Sequence, residues 1–291
     1  MFSLLKVERK IFCKRLASNP LSVVKTAAYS SKQSFVRRAH AEQLLHQQRA
    51  MKFFMKKRGF TYMSNFLIVG SGVVGQATGK GFARRGHSVD YVDIDPVKVN
   101  QLNQQGLFAM LPNQVDWSRY DIIMLTVSTP SVNGRVVLDY IEAAALNVGQ
   151  GLATTDKFAV VVVRSTVPPT TTEKRIRAVL EKAARKTAGV DFGLAMNPEF
   201  LRQRSNFEDF ERPWITVLGA SDRLTAEILN DLYKPFGSLI VNCTPTEAEM
   251  IKYVNNVYNA VKISYFNEVH GICEQLGLDS RLIGATVARS A

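Results

Sequence analysis

The sequence predicts an α/β protein, a doubly wound parallel β-sheet followed by one long helix. Three observations carry that expectation. From residue 65 onward, short apolar runs alternate with segments of helical period, the pattern of strands joined by crossover helices. The first run, FLIVGSGVVG at 66 to 75, ends in three glycines where a strand hands over to a helix. Late in the chain, Met250, Val254, Val257, Val261, Tyr265, Val269, Ile272 and Leu276 recur mostly three or four apart, as on one helix face.

Size and charge bound the rest. At 291 residues and 46% hydrophobic, the chain buries a core in one large domain or two smaller ones. Cys13, Cys243 and Cys273 are widely spaced and form no CxxC pair, which favours a reducing compartment, and a cytoplasmic location is expected. No apolar stretch approaches the roughly 18 residues of a membrane span. Residues 1 to 64 hold 14 Lys or Arg against Glu8 and Glu42 alone, and so carry the whole net charge of +12. The remainder is balanced, which argues against nucleic acid as a partner, because a binding surface belongs on the folded module.

The basic segment is expected to stand outside the fold. It has no continuous apolar h-region, so it is no secretory signal. Three readings stay open: an organellar transit peptide, an extension upstream of the true start, since Met63 lies three residues before the first strand, or a tail for anionic surfaces. The domain reading is therefore 1–64 as extension, 65–243 as nucleotide-binding domain, and 244–291 as the start of a helical domain.

Strands are expected at Phe66–Val69, Val89–Asp93, Asp121–Val127, Phe158–Arg164 and Phe192–Met196, with short ones near Ile215–Leu218 and Leu239–Val241. Helical periods fall at Val73–Arg85, Leu138–Val148, Thr172–Lys186 and Ala226–Tyr233. The last helix begins at TPTE, where Thr244 and Glu247 make a capping box with Pro245 at the first helical position. Running to Gly277, it spans roughly 50 Å at 1.5 Å per residue, longer than a small domain covers. Its apolar remainder calls for another chain or another domain.

Gly70, Gly72 and Gly75 fit GxGxxG between a strand and a helix. Gly70 permits the turn, Gly72 lets backbone approach a pyrophosphate, and Gly75 lets helix pack on strand. The helix N-terminus at Val73 and Val74 then offers N–H groups to phosphate. Taken alone the pattern is weak, and a merely tight βα turn is the plainer alternative. Asp93, 18 residues after Gly75 in YVDID, points to a Rossmann-like unit: a carboxylate there accepts both adenosine ribose hydroxyls and repels the extra phosphate of NADP, so NAD is the expected cofactor. Lys98 either reaches the ribose or is a solvated surface charge.

The other motifs are VSTP at 127 to 130, STVPP at 165 to 169, MNPEFLR at 196 to 202 and EAEMIKYVNNVYNAVKISYFNEV at 247 to 269. Their order and spacing resemble the UDP-glucose/GDP-mannose dehydrogenase family over residues 65 to 291. The resemblance implies two NAD-dependent oxidations of a nucleotide-sugar primary alcohol to a carboxylate, through a cysteine thiohemiacetal and thioester. It implies Lys252 and Asn256 as oxyanion-stabilising groups one helical turn apart, Glu199 in proton transfer and hydrolysis, and Thr166 in placing a water. Thr129 and Thr166 join the implied cofactor contacts, no metal is implied, and the long helix is the implied homodimer core. Phe200 after NPE favours the UDP-glucose and GDP-mannose branches over N-acetylhexosamine ones. The plainer alternatives are that Asn256 and Glu199 satisfy backbone and that Lys252 is a solvated charge.

Departures from the family pattern are specific. The region between Asn103 and Asp121 is short, Thr170 stands where glycine commonly follows STVPP, and Gln203-Arg204 where Glu-Gly is usual. The glycine-rich segment with the nucleophilic cysteine is expected beyond Ala291, and Cys273 and Cys243 read as structural. The reading is thus a C-terminally truncated nucleotide-sugar dehydrogenase. A non-catalytic NAD-binding dimeriser, or a dehydrogenase of the 3-hydroxyacid or 6-phosphogluconate type, is the alternative. The NPEFLR and STVPP pair argues against the last.

Overall fold

The computed structural model describes residues 63–201 and 206–289. The basic segment up to residue 62, with Cys13, and the Gln203–Arg204 pair lie outside the described residues.

In chain order the elements are β1 (Asn65–Val69), α1 (Val73–Arg84), β2 (Ser88–Val92), α2 (Pro96–Gln104), β3 (Ala109–Met110), β4 (Ile122–Leu125), β5 (Ser131–Val132), β6 (Arg135–Val136), α3 (Asp139–Leu152), β7 (Val160–Val163), α4 (Arg177–Ala184), β8 (Gly193–Met196), α5 (Asn206–Glu211), β9 (Ile215–Ala220), α6 (Arg223–Tyr233), β10 (Leu239–Cys243), α7 (Pro245–Leu276) and α8 (Ser280–Val287). Eight strands form one sheet in the order β10-β9-β8-β7-β4-β1-β2-β3, and β5 and β6 form a separate hairpin. The reversal of strand order on either side of β1 and β4 opens the crevice in which such sheets bind nucleotides.

Strand composition explains why the sheet is covered on both sides. β4 reads IIML and β7 reads VVVV, so neither has a polar face. With side chains alternating, Leu67, Val69, Ile123, Leu125, Val161 and Val163 pack with Ile141, Val148 and Leu180 of α3 and α4. Phe66, Ile68, Ile122, Met124, Val160 and Val162 face Phe82 of α1 and Leu229 of α6 instead. At roughly 1.5–3 kcal/mol for each large apolar side chain buried, these two layers supply the main drive to fold.

The structure differs from a uniformly parallel sheet at one place. β8 meets β9 antiparallel, Ala195 opposite Ala220 and Met196 opposite Gly219, after which β10 runs parallel to β9. That reversal sits toward the sheet edge, where an antiparallel partner needs no crossover helix. The expected helix at Thr172–Lys186 is also irregular, opening as a π-turn over Thr171–Ile176 before α4.

Thr170 shows why glycine suits its position. Its φ is +77°, left-handed space that a β-branched residue enters at a cost. Non-glycine residues held there lose about 1–3 kcal/mol, whereas glycine costs about 0.5–1 kcal/mol in chain entropy. Thr170→Gly is therefore expected to stabilise the chain by about 1 kcal/mol, raising the unfolding midpoint by roughly 2–4 °C. An unchanged or lower midpoint in a thermal melt contradicts the strain argument.

Helix α7 starts as its cap requires. Glu247 N–H donates to Thr244 Oγ1 at 3.2 Å, Thr244 N–H donates to Glu247 Oε2 at 2.7 Å, and Pro245 occupies the first turn. It ends at Gly277, whose φ is +66°. Ala248, Glu249 and Lys252 are buried against the sheet domain, and Cys273 is buried near the far end. Between them Met250, Val254, Val257, Val261 and Tyr265 stand exposed.

Candidate active site

The glycine loop is built by close approach. Gly70 has φ +100°, and its N–H donates to Val92 O at 2.8 Å, tying the end of β1 to β2. A Cβ on Gly75 would lie 2.1 Å from Gly70 O, so only glycine lets α1 enter at this distance. The buried Thr126 hydroxyl donates to Gly70 O at 2.6 Å from the neighbouring strand end.

Gly72 behaves differently. Nothing lies within 4 Å of where its Cβ would be. Gly72 also gives α1 no side-chain cap, so the first-turn amides at Val73 and Val74 have no side-chain acceptor there. Open space above unsatisfied N–H groups at a helix N-terminus is what a pyrophosphate requires. By this test the loop fits a dinucleotide.

Asp93 follows β2 and is buried. Its Oδ2 accepts from Ser71 N–H at 2.9 Å and Ser71 Oγ–H at 2.5 Å, while Oδ1 accepts from Asp95 N–H at 3.1 Å. Lys98 Nζ lies 3.9 Å from Oδ2 and is half exposed. Burial pushes this carboxyl up, but the Ser71 and Asp95 donors and Lys98 outweigh it and hold the pKa below its ordinary value. Oδ2 thus accepts twice from Ser71 and Oδ1 once from Asp95 N–H, so the carboxylate keeps its freest lone pair on Oδ1.

The other predicted residues gather after β7, after β8 and on α7. Because β1, β4, β7 and β8 are mutually parallel, Thr166 and Glu199 lie beyond the same carboxyl end of the sheet as the glycine loop. Thr129 Oγ–H donates to Thr166 O at 2.7 Å, so its hydroxyl joins the VSTP and STVPP loops. Lys252 donates to Glu199 Oε1 at 2.9 Å, and Glu199 Oε2 accepts from Leu201 N–H at 2.6 Å. The Lys252 side chain is only 6% exposed and its ammonium lies 5.4 Å from the Phe200 ring centre. It is no solvated surface charge. Asn256, one turn further along α7, is exposed and takes no part in that pair's hydrogen bonds.

Several functional-looking residues escape the sequence reading. Ser71 is the middle residue of the GSG turn, and Thr126 follows β4. Arg164 is 4% exposed, donates from Nε to Thr78 Oγ1 at 2.8 Å and from Nη1 to Asn197 O and Oδ1, and ties α1 to the loop that carries Glu199. The Asn of NPE is the signal that could have revealed this network. A cleft of about 540 Å³ opens beside Glu199, lined by Trp214 and by Asn255, Tyr258, Asn259 and Lys262 of α7. It is separate from the glycine loop, none of whose residues line it.

The described cysteines are poor nucleophiles. Burial and the nearby Glu247 push the Cys243 thiol up to about 11, leaving it protonated near neutrality. Cys273 is buried on α7. Among the described residues no cluster of His, Cys, Asp or Glu is arranged to hold a metal. No described helix is long and apolar enough to cross a membrane.

Comparison with known proteins bears on this geometry. Residues 64–114 and 105–237 match the UDP-glucose/GDP-mannose dehydrogenase family NAD-binding domain, and residues 246–290 match that family's central domain. The GDP-mannose 6-dehydrogenase of Pseudomonas putida is 36% identical over 235 residues, 74% of this chain and 54% of that protein. A crystal structure of a GDP-mannose dehydrogenase ternary complex from Pseudomonas aeruginosa superposes with a TM-score of 0.73 at 32% identity, over 78% of this chain and 57% of that one. A UDP-glucose dehydrogenase from Pyrobaculum islandicum gives 0.70 at 36% identity, over 79% and 57%. The chain thus spans about half the length of the curated relatives it matches.

Proposed function

The chain belongs to the UDP-glucose/GDP-mannose dehydrogenase family, and from that premise we propose that it serves NAD-dependent oxidation of a nucleotide-sugar C6 hydroxyl, as in GDP-mannose or UDP-glucose, toward the carboxylate. The observation that carries this reading is the largely buried Lys252–Glu199 pair at the carboxyl end of the sheet, the end that also bears the glycine loop. A simple nucleotide-binding module has no use for an ammonium and a carboxylate held there.

Each group has a task. The amides at Val73 and Val74 would hold the pyrophosphate, and Asp93 would accept from a ribose hydroxyl. When bound, NAD supplies the two-electron acceptor. Lys252, released in part from Glu199 by the substrate oxygen, stabilises the negative charge that develops on it. Glu199 relays the proton, and Thr166 places the water for hydrolysis. Asn256 joins Lys252 only if substrate draws it in, since it stands exposed without one. The domain reading, 65–243 for cofactor and 244–291 as part of a helical domain, and the cytoplasmic location belong to the same proposal.

Two outcomes test it. The polypeptide of residues 1–291 is expected to bind NAD yet form no carboxylate from GDP-mannose or UDP-glucose, because the described thiols, Cys243 and Cys273, are poor nucleophiles for the covalent step. Adding a separately produced C-terminal half of a relative should restore carboxylate formation, and carboxylate formed without that half contradicts the assignment of the thiols.

The exposed Met250, Val254, Val257, Val261 and Tyr265 support pairing of two chains along α7. Light scattering at micromolar concentration should then give a dimer. A stable monomer contradicts this.

A further inference from the structure

Ser71 has no side chain free for ligand, yet it occupies the centre of the glycine turn. It is 2% exposed and gives both its N–H and its hydroxyl to one oxygen of Asp93. Two donors from one residue onto one oxygen fix the carboxylate in both plane and position. The competing attraction is also present: Lys98 Nζ lies 3.9 Å from that same oxygen, on a half-exposed, flexible stem. An ammonium so placed draws Asp93 outward, and it is a ready partner for any phosphate arriving near the ribose.

We propose that Ser71 is a specificity-determining positioning residue, which holds the Asp93 charge at the ribose site against the pull of Lys98 and so keeps the site selective for NAD(H) over NADP(H). The family reading supplies the cofactor class, and on that basis the new content is how selection is made. Asp93 alone is an insufficient discriminator. Held only by the backbone N–H groups of residues 71 and 95, it shifts toward Lys98, its charge at the ribose 2′ position is partly neutralised, and the same lysine then receives a 2′-phosphate. Ser71 acts through Asp93 and need not touch the distinguishing atom. Burial opposes ionisation of Asp93, and the Ser71 donors are the leading groups that restore it, so losing the hydroxyl also makes the charge less secure.

The test is titration of the full chain with NADH and with NADPH, followed by nucleotide fluorescence, in four forms: unaltered, Ser71→Ala, Lys98→Ala and the double variant. A hydrogen bond to a charged group is at stake, so Ser71→Ala should narrow the NADH preference roughly tenfold. Adding Lys98→Ala should return most of it, because the loosened carboxylate then has no cation to shift toward. Lys98→Ala alone is a surface change that leaves folding intact, and it should widen the preference. Ser71→Ala that lowers the melting temperature but leaves the ratio unchanged assigns Ser71 a structural role only and overturns the proposal. So does a Lys98→Ala ratio equal to or below that of the unaltered chain. Failure of the unaltered chain to bind NADH at all overturns the cofactor reading and this proposal with it.

Discussion

Replacing Lys252 by methionine is expected to lower the unfolding free energy by about 3 kcal/mol. The change keeps the apolar stem but removes the ammonium that donates to Glu199 Oε1 at 2.9 Å. Glu199 is then left as an uncompensated charge whose side chain is 15% exposed. Breaking a buried pair from one side costs about 3–5 kcal/mol, and the low end applies because Glu199 keeps some water and its bond from Leu201 N–H. For a domain of this size the melting temperature should fall by roughly 6–12 °C.

The double variant Lys252→Met/Glu199→Gln separates this cause from lost packing. With no charge left to strand, it should recover at least about 1 kcal/mol relative to the sum of the single variants. Additive losses, or a Lys252→Met loss under about 0.5 kcal/mol, mean that the pair is not coupled as the geometry indicates.

Which parts of this molecule can be read from its sequence follows from how local their causes are. The seven expected strands are present because IIML, VVVV and FLIV are continuous apolar runs that only a covered sheet accommodates. The α7 start is equally legible, since TPTE encodes its own cap. By contrast α2, PVKVNQLNQ, buries only Val99 and Leu102, too short a stripe to show as a period. The β5–β6 hairpin has a local signal of its own: Asn133 and Gly134 sit at φ +50° and +73°, the Asn-Gly turn of a two-residue hairpin. The antiparallel β8–β9 pairing has no local cause, because strand direction is set by where the chain returns to the sheet.

The candidate site divides in the same way. Gly70, Gly72, Gly75 and Asp93 are legible because a turn, an approach and a charge each demand one residue type at one spacing. The meeting of Glu199 with Lys252, 53 positions apart, is a tertiary event that residue periodicity cannot show. Only the resemblance of motifs brought the two residues into one reading. The partners that orient them are quieter still. Ser71 and Arg164 are ordinary residue types whose roles arise from what lies across the sheet from them.

The most direct test of the central claim uses Gly72. Its φ of −69° and ψ of −172° are open to any residue, and a Cβ there meets nothing within 4 Å. Gly72→Val should therefore leave stability within about 0.5 kcal/mol of the unaltered chain. On the proposed reading, the same side chain fills the space that a pyrophosphate would take above the α1 amides. Forfeiting those charge-assisted contacts, at roughly 1.5–3 kcal/mol each, should weaken NADH binding at least about 100-fold. Calorimetric titration of the two forms with NADH decides the matter. Saturable binding by the unaltered chain, lost in a Gly72→Val form that melts at the same temperature, is the result expected. Equal NADH affinity in both forms contradicts the placement of the cofactor over this loop.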